Sequence, residues 1–359
     1  MKKPYDPEIR CMNESNVHFS KKELDTMSFK CPDEPDYNDP PTMFDENGNK
    51  LYAYVTLVMM GDRYVSGAIV LAYSIRKLGT NADLVILITH DVSENARMVL
   101  KQFYDHIIPV DYIETPNWRV KHQPHRKYLS YVFTKFHLFN LTQYKKVLFY
   151  DADALVLKYP NHLFSLNAPA GHFNTEKSEL ISYDNNCNYV LKQMKWYDIF
   201  CKCCKHGNVI PKHFTDEVAH NFKKTGVAAG LLLLEPKKGI LEDILEDLKG
   251  KYGDLVRNKF IWPEQQYLTL KYSGQWHSIN PVFFGLQGYP HWSSLYGLQY
   301  AGDKPFIFDS KIDMNIRKTY DDFIIWHKFY AELVEKYPDF KNHKCLQEAN
   351  HVHSYFVAK

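Results

Sequence analysis

Apolar residues fall into short unbroken runs that alternate with stretches carrying a helical stripe. Leu51–Met59, apolar except at Thr56, has the pattern of a buried strand. Val65–Leu78 then places Ala68, Leu71, Ala72 and Ile75 on one helical face, and Gly79 stops it. Leu84–Thr89 predicts a second buried strand, Ser93 an N-cap for a helix running to Tyr104, and His106–Asp111 a third strand. Tyr131–Leu141 predicts a helix that feeds the strand Lys145–Tyr150. This strand–helix rhythm means parallel pairing and a Rossmann-like half. The second half is less regular. Ala168–Asn174 and Gly226–Leu234 read as strands, Lys238–Leu248 as a helix, Pro263–Lys271 as a short helix opening on proline, and Asp321–Tyr337 as a closing helix. Thr175–Lys224 is an insertion rich in Lys, His, Asn and Cys. Residues 1–50 read as an accessory arm: the stretch Pro32–Pro41 suits neither a helix nor a central strand, and Asp45–Lys50 is a turn signal. No repeat of 20–50 residues is present.

The strand Lys145–Tyr150 runs straight into Asp151-Ala152-Asp153. In open α/β sheets ligands bind beyond the carboxyl ends of the strands, so both carboxylates are expected to face a crevice. Two aspartates so spaced can offer oxygens to one hard divalent cation. They equally suit an Asx-type turn that satisfies backbone N–H groups.

Composition narrows the class. With 359 residues, 45% hydrophobic and 24% charged, the chain can bury a large core. The net charge of +2 and the absence of long like-charge runs give no reason to expect a nucleic-acid partner. The 26 tyrosines and 22 phenylalanines suit stacking on sugars or bases. The polar N-terminus, the lack of a long apolar span and an odd count of seven cysteines lead us to expect a soluble, cytoplasmic protein without a membrane span.

Other candidates are weaker alone. Gly61, in the turn Met60–Tyr64, suits either a nucleotide contact or a plain turn. Neither G-x-G-x-x-G nor a P-loop occurs, which disfavours dinucleotide enzymes and P-loop ATPases. The basic, aromatic stretch Lys121–Tyr128 fits a solvated loop or a contact to phosphate or acceptor. Lys135 lies in an otherwise apolar helix face and needs an anion, either phosphate or aspartate. Glu264 complements a helix N-terminus or hydrogen-bonds sugar hydroxyls. Ala228-Ala229-Gly230 allows close approach of a ring or of a neighbouring strand. Lys304, in the turn around Gly302, can face an anion. Cys201, Cys203, Cys204 and His206 lack the spacing of a zinc knuckle, and His291-Trp292 reads as structure or as a pocket wall.

Taken together, Tyr54–Arg76, Tyr131–Leu157, Val227–Pro236, Pro263–Leu268 and Tyr300–Phe306 resemble, in order, the blocks of glycosyltransferase family 8, the retaining transferases that include glycogenin and galactinol synthase. The look is closest to virus-encoded members, which would place the protein in host cytoplasm or virion. The resemblance implies an α/β GT-A fold, with a Rossmann-like nucleotide half, a mixed central sheet and an acceptor-binding half over 51–310. It implies an arm over 1–50 and a C-terminal helical extension, 311–359, packed on the core. It implies a UDP-sugar donor, Mn²⁺ or another divalent cation, and a carbohydrate, polyol or protein hydroxyl as acceptor, and leaves a homodimer open. Asp151 and Asp153 match the metal-binding pair, with Ala152 between them in the donor site. Leu57 and Tyr64 match the uracil contacts, and Lys135 a donor-contacting lysine. Glu264 and Gln265 match the acid–amide pair near the reacting sugar, and Gly302 and Lys304 the turn that holds the diphosphate.

Three positions depart from the family's pattern. Gln299-Tyr300 stands where many members have a histidine that is the third metal ligand; an amide oxygen is a hard donor that can replace it. The Gly302–Lys304 gap is one residue shorter than in glycogenin. Ala228-Ala229 stands where many members have an asparagine that bonds the sugar. The Gln299 position also supports an alternative expectation, a catalytically impaired scaffold that binds UDP-sugar.

Overall fold

The structure is a computed structural model that describes residues 39–174, 181–183, 189–191, 206–287, 292–310 and 312–357. The Cys187 and Cys201–Cys204 cluster, His291 and residues 1–38 of the expected arm lie outside the described residues.

The chain opens with β1 (Tyr52–Val58), α1 (Val65–Lys77), β2 (Asp83–Ile88), α2 (Glu94–Leu100), β3 (His106–Pro109) and α3 (Trp118–His122). Strands β4 (Lys146–Tyr150), β5 (Ala154–Val156), β6 (Ala170–Asn174), β7 (Ile181–Tyr183) and β8 (Tyr189–Leu191) follow, then α4 (Lys212–Asp216) and β9 (Gly226–Leu234). Helices α5 (Ile240–Lys249), α6 (Gly253–Asn258) and α7 (Pro263–Lys271) precede β10 (His277–Ser278), β11 (Gly285–Leu286) and β12 (Gly297–Gln299). Helices α8 (Met314–Arg317), α9 (Asp321–Lys336) and α10 (Gln347–Val357) close the described chain.

Seven strands form the main sheet in the order β10-β6-β9-β4-β1-β2-β3. β4, β1, β2 and β3 run parallel, as their alternation with helices predicts. β9 enters antiparallel to both β4 and β6, so the sheet is mixed. Side chains of β1 alternate between two cores: Tyr52, Tyr54 and Val58 on one face, and Ala53, Val55 and Leu57 on the other.

Several predicted elements differ in form. Val132–Asn140 winds as 3₁₀ turns instead of an α-helix. Phe133, Phe136 and Phe139, three apart, are all buried, which is the spacing that a three-residue turn aligns on one side. α2 ends at Leu100, four residues before the expected stop, with Ser93 as its N-cap accepting from the Ala96 N–H. β5, β11 and β12, two or three residues each, form a second sheet in which Gln299 sits opposite Ala154. That small sheet meets the main one at the end of β4, where Asp151 donates its backbone N–H to Gly230 O at 3.0 Å.

Candidate functional site

The site gathers where the two sheets meet. β4 delivers Asp151 at its carboxyl end, the chain turns through Ala152, and Asp153 precedes β5. A backbone turn closes the segment, the Ala154 N–H bonding the Asp151 backbone O at 3.0 Å, while both carboxylates face side chains and not backbone N–H groups.

Lys135, from the 3₁₀ segment, is 5% exposed. Its Nζ lies 3.3 Å from Asp151 Oδ1, 3.5 Å from Glu264 Oε1 and 3.2 Å from Ala229 O, and over the Phe149 ring. Burial works against its charge, but Asp151 and Glu264 together lift its pKa above the usual lysine value. Lys304 donates to Asp153 Oδ2 and to Tyr300 O, and its ammonium stands over the Tyr64 ring. Burial opposes its charge as well, and Asp153 more than offsets this. Gln299 presents its amide N–H to both carboxylates, 3.0 Å from Asp151 Oδ2 and 3.4 Å from Asp153 Oδ1. Room for it depends on Gly230, where a Cβ would come within 2.9 Å of Gln299 Nε2.

Three carboxylates, of Asp151, Asp153 and Glu264, therefore meet two ammonium groups, leaving one negative charge in excess when every acid is ionised. Asp151 shows the strain: burial pushes its pKa up to about 6, with Lys135 opposing and Asp153 and Glu264 adding to the rise. Glu264 Oε2 is buried and has no hydrogen-bond partner among the described residues. Two convergent hard oxygens in a cluster with excess negative charge fit a divalent cation. No group of three His, Cys, Asp or Glu side chains suited to a metal occurs among the described residues, so a third protein ligand would have to be Gln299, whose amide would turn its oxygen inward.

The profile of the family described as "Glycosyl transferase family 8" matches residues 55–294, which include the acidic pair, Lys135 and Glu264. The chain belongs to glycosyltransferase family 8. An uncharacterized protein, R707, of Acanthamoeba polyphaga mimivirus is 36% identical over 229 residues, covering 64% of this chain and 69% of that one. Glycogenin-1 of Homo sapiens is 39% identical over 112 residues, and the match covers 31% of this chain and 32% of that protein. The crystal structure of the galactosyltransferase LgtC, in complex with donor and acceptor sugar analogs, aligns with a TM-score of 0.48 at 14% identity, over 78% of this chain and 95% of that one. As a family 8 member the protein is a glycosyltransferase of GT-A fold.

The remaining candidates of this glycosyltransferase scatter around the cluster. Tyr64 packs edge-on against Phe306, 5.6 Å between centroids, and burial raises its pKa. Leu57 is buried near the end of β1. The turn after it is left-handed at both Met60 (φ 63°) and Gly61 (φ 82°), and the Met60 N–H is held by Tyr112 Oη at 2.8 Å. The Gly302 N–H bonds Gln287 Oε1 at 2.8 Å, tying the lysine turn to β11. Gln265 is fully engaged by backbone, accepting from Ala229 N at 3.2 Å and donating to Thr225 O at 2.7 Å. At the basic stretch 121–128, Arg126 and the preceding Arg119 both lie over the Trp262 ring, and Arg126 reaches Tyr128 Oη at 3.3 Å. Sequence reasoning missed Gln287, Trp262 as a stacking partner for Arg119 and Arg126, and Arg317, which lies fully buried behind Lys304. An arginine within Met314–Lys318 carries no periodic signal that would mark it.

Among the described residues no helix is long and apolar enough to cross a membrane.

Proposed function

We propose that this glycosyltransferase moves a hexose, glucose foremost, from a UDP-sugar to a hydroxyl acceptor with retention of configuration, assisted by Mn²⁺ or another divalent cation. The observation that carries the reading is the convergence of Asp151, Asp153, Glu264, Lys135 and Lys304 at the end of β4. Asp151 and Asp153 would hold the cation, with Gln299 beside them. Bound there, a divalent cation supplies Lewis-acid charge to a departing diphosphate.

The chain's own groups do the rest. Lys304 adds a fixed positive charge on the diphosphate side, aimed before reaction begins. Lys135 keeps Asp151 ionised and oriented from beneath. Leu57 and Tyr64 flank the uracil, and Gly302 presents backbone to the diphosphate. Of the pair Glu264-Gln265, Glu264 has an oxygen to spare, whereas both ends of the Gln265 amide are taken by β9 and the residue before it. Glu264 therefore faces the sugar as stabiliser of positive charge developing at the anomeric carbon, and Gln265 shapes the wall. The acceptor hydroxyl attacks on the face from which the diphosphate leaves, and its proton passes to the departing phosphate oxygen.

The test is release of UDP from a panel of UDP-sugars, with and without Mn²⁺, by the protein and by Asp153→Ala. Metal-dependent release from one donor, lost in Asp153→Ala, is the expected result; turnover unchanged in that variant would sink the metal assignment. Gln299 favours a second reading, a scaffold that binds donor without turnover, because it stands where many family members have a histidine ligand. UDP-sugar binding without release of UDP would establish that reading.

A further inference from the structure

The turn that carries Lys304 follows β12 and has no regular secondary structure. On the site side it is tied through Lys304 itself and through Gly302 to Gln287. Behind it stands Arg317, 0% exposed, at the end of α8. Its guanidinium donates to Lys304 O, to Ile307 O at 2.7 Å and to Asp303 Oδ1 at 2.8 Å, and lies over the Phe323 ring of α9. One planar fork thus engages the residue before Lys304, Lys304's own carbonyl and the carbonyl three residues on. A second tie reaches the same segment: Glu348 Oε1 of α10 accepts from the Phe308 N–H at 3.1 Å and faces the Arg63 guanidinium at 3.4 Å. Arg63 adjoins Tyr64.

We propose that Arg317 is a positioning residue for the nucleotide diphosphate, acting through Lys304, so that the C-terminal segment forms part of the donor site. The inference rests on the reading of Lys304 as a diphosphate ligand. Its physical basis is geometric: a point charge on a four-carbon stem is only as well aimed as its backbone, and a rigid fork with in-plane donors fixes that backbone where a lysine ammonium could not.

The test is a double-mutant cycle on UDP affinity, measured by calorimetry in Mn²⁺ buffer, with the full chain, Arg317→Lys, Lys304→Ala and the double variant. Arg317→Lys keeps the charge beside Asp303 and loses the fork, and is expected to weaken UDP about tenfold, the scale of one charge-assisted hydrogen bond. In the Lys304→Ala background the same change is expected to have almost no effect. Equal weakening in both backgrounds, or none in either, overturns the proposal while leaving the donor reading intact. Failure of the wild-type chain to bind UDP overturns the donor reading, and this inference with it. If Arg317→Lys does not fold, Asp303→Asn replaces it in the cycle. That variant removes the ionic anchor that orients the fork, so weaker UDP binding that vanishes with Lys304→Ala is again expected; unchanged affinity overturns the proposal.

Discussion

At the scale of single residues the site is held together by opposed charges, and the opposition has a cost. Asp151, partly buried beside Asp153 and Glu264, ionises reluctantly, its pKa pushed up to about 6. A carboxyl whose folded pKa is raised takes up protons more readily in the folded state, so this group favours folding as pH falls from about 6 towards 3.8, and loses that benefit on the way back up. Asp151→Asn removes the ionisation cost. It is expected to abolish UDP-sugar turnover and to remove this group's share of the pH dependence of Tm between about pH 6 and pH 4; a pH dependence identical to that of the unaltered chain would refute the account. Lys135 acts in the other direction. Since its charge lowers the Asp151 pKa, Lys135→Met is expected to shift the acid limb of metal-dependent UDP binding to higher pH, which a titration of affinity against pH would register. Lys135 was legible in the sequence because a lysine among Phe133, Phe136 and Phe139 has to find an anion. Arg317 was not, because an arginine in so short a helix looks like any solvated surface charge until its burial is seen.

At the scale of elements the decisive contact is between α1 and the acidic turn. Gly67 lets the helix approach so closely that a Cβ there would come 2.4 Å from Ala152 O and 2.8 Å from the Phe306 ring. Gly67→Ala must displace either the backbone between the two aspartates or the segment after Lys304. The expected outcome is a loss of about 1–3 kcal/mol, read from urea midpoints, together with weaker UDP binding. Loss of stability with unaltered UDP affinity would separate the helix from the site. Long elements were plain in the sequence because β1, β2, β4 and β9 are buried on both faces and read as apolar runs. β5, β11 and β12 were invisible because two or three residues carry no period, yet their pairing sets Gln299 beside the acidic turn. Without that pairing the resemblance alone could place Gln299 near Asp151 and Asp153.

At the scale of the whole molecule, buried histidines govern the response to acid. Burial lowers the pKa of His162 to about 3 and that of His206 to about 4, and His206 Nδ1 accepts the Asn280 N–H at 3.0 Å, which a protonated ring could not do. A histidine depressed in this way gives its full support above pH 6.5 and loses it as pH falls towards the folded value, because the unfolded chain takes the proton first. Each contributes a slope of about 1.4 kcal/mol per pH unit across that window, and the pair outweighs the opposite trend of Asp151. Urea midpoints are therefore expected to fall steadily from pH 7 to pH 4.5; a rise over that range would contradict the assignment.

The acidic turn also has a history along the chain. Gln299 lies 148 residues beyond Asp151, and Lys304 lies 151 beyond Asp153. In the parallel half, by contrast, β1 pairs with β2 and β2 with β3, neighbours along the chain, and β4 returns to β1 over the shorter span from Tyr52 to Lys146. Distant partners bring their loop-closure cost before any contact repays it, so the sheet can assemble while the cleft beside it is still open. In that order of events the acidic pair is in place before Gln299 and Lys304 close over it. In refolding from urea, recovery of nucleotide binding should lag behind recovery of the sheet's circular dichroism.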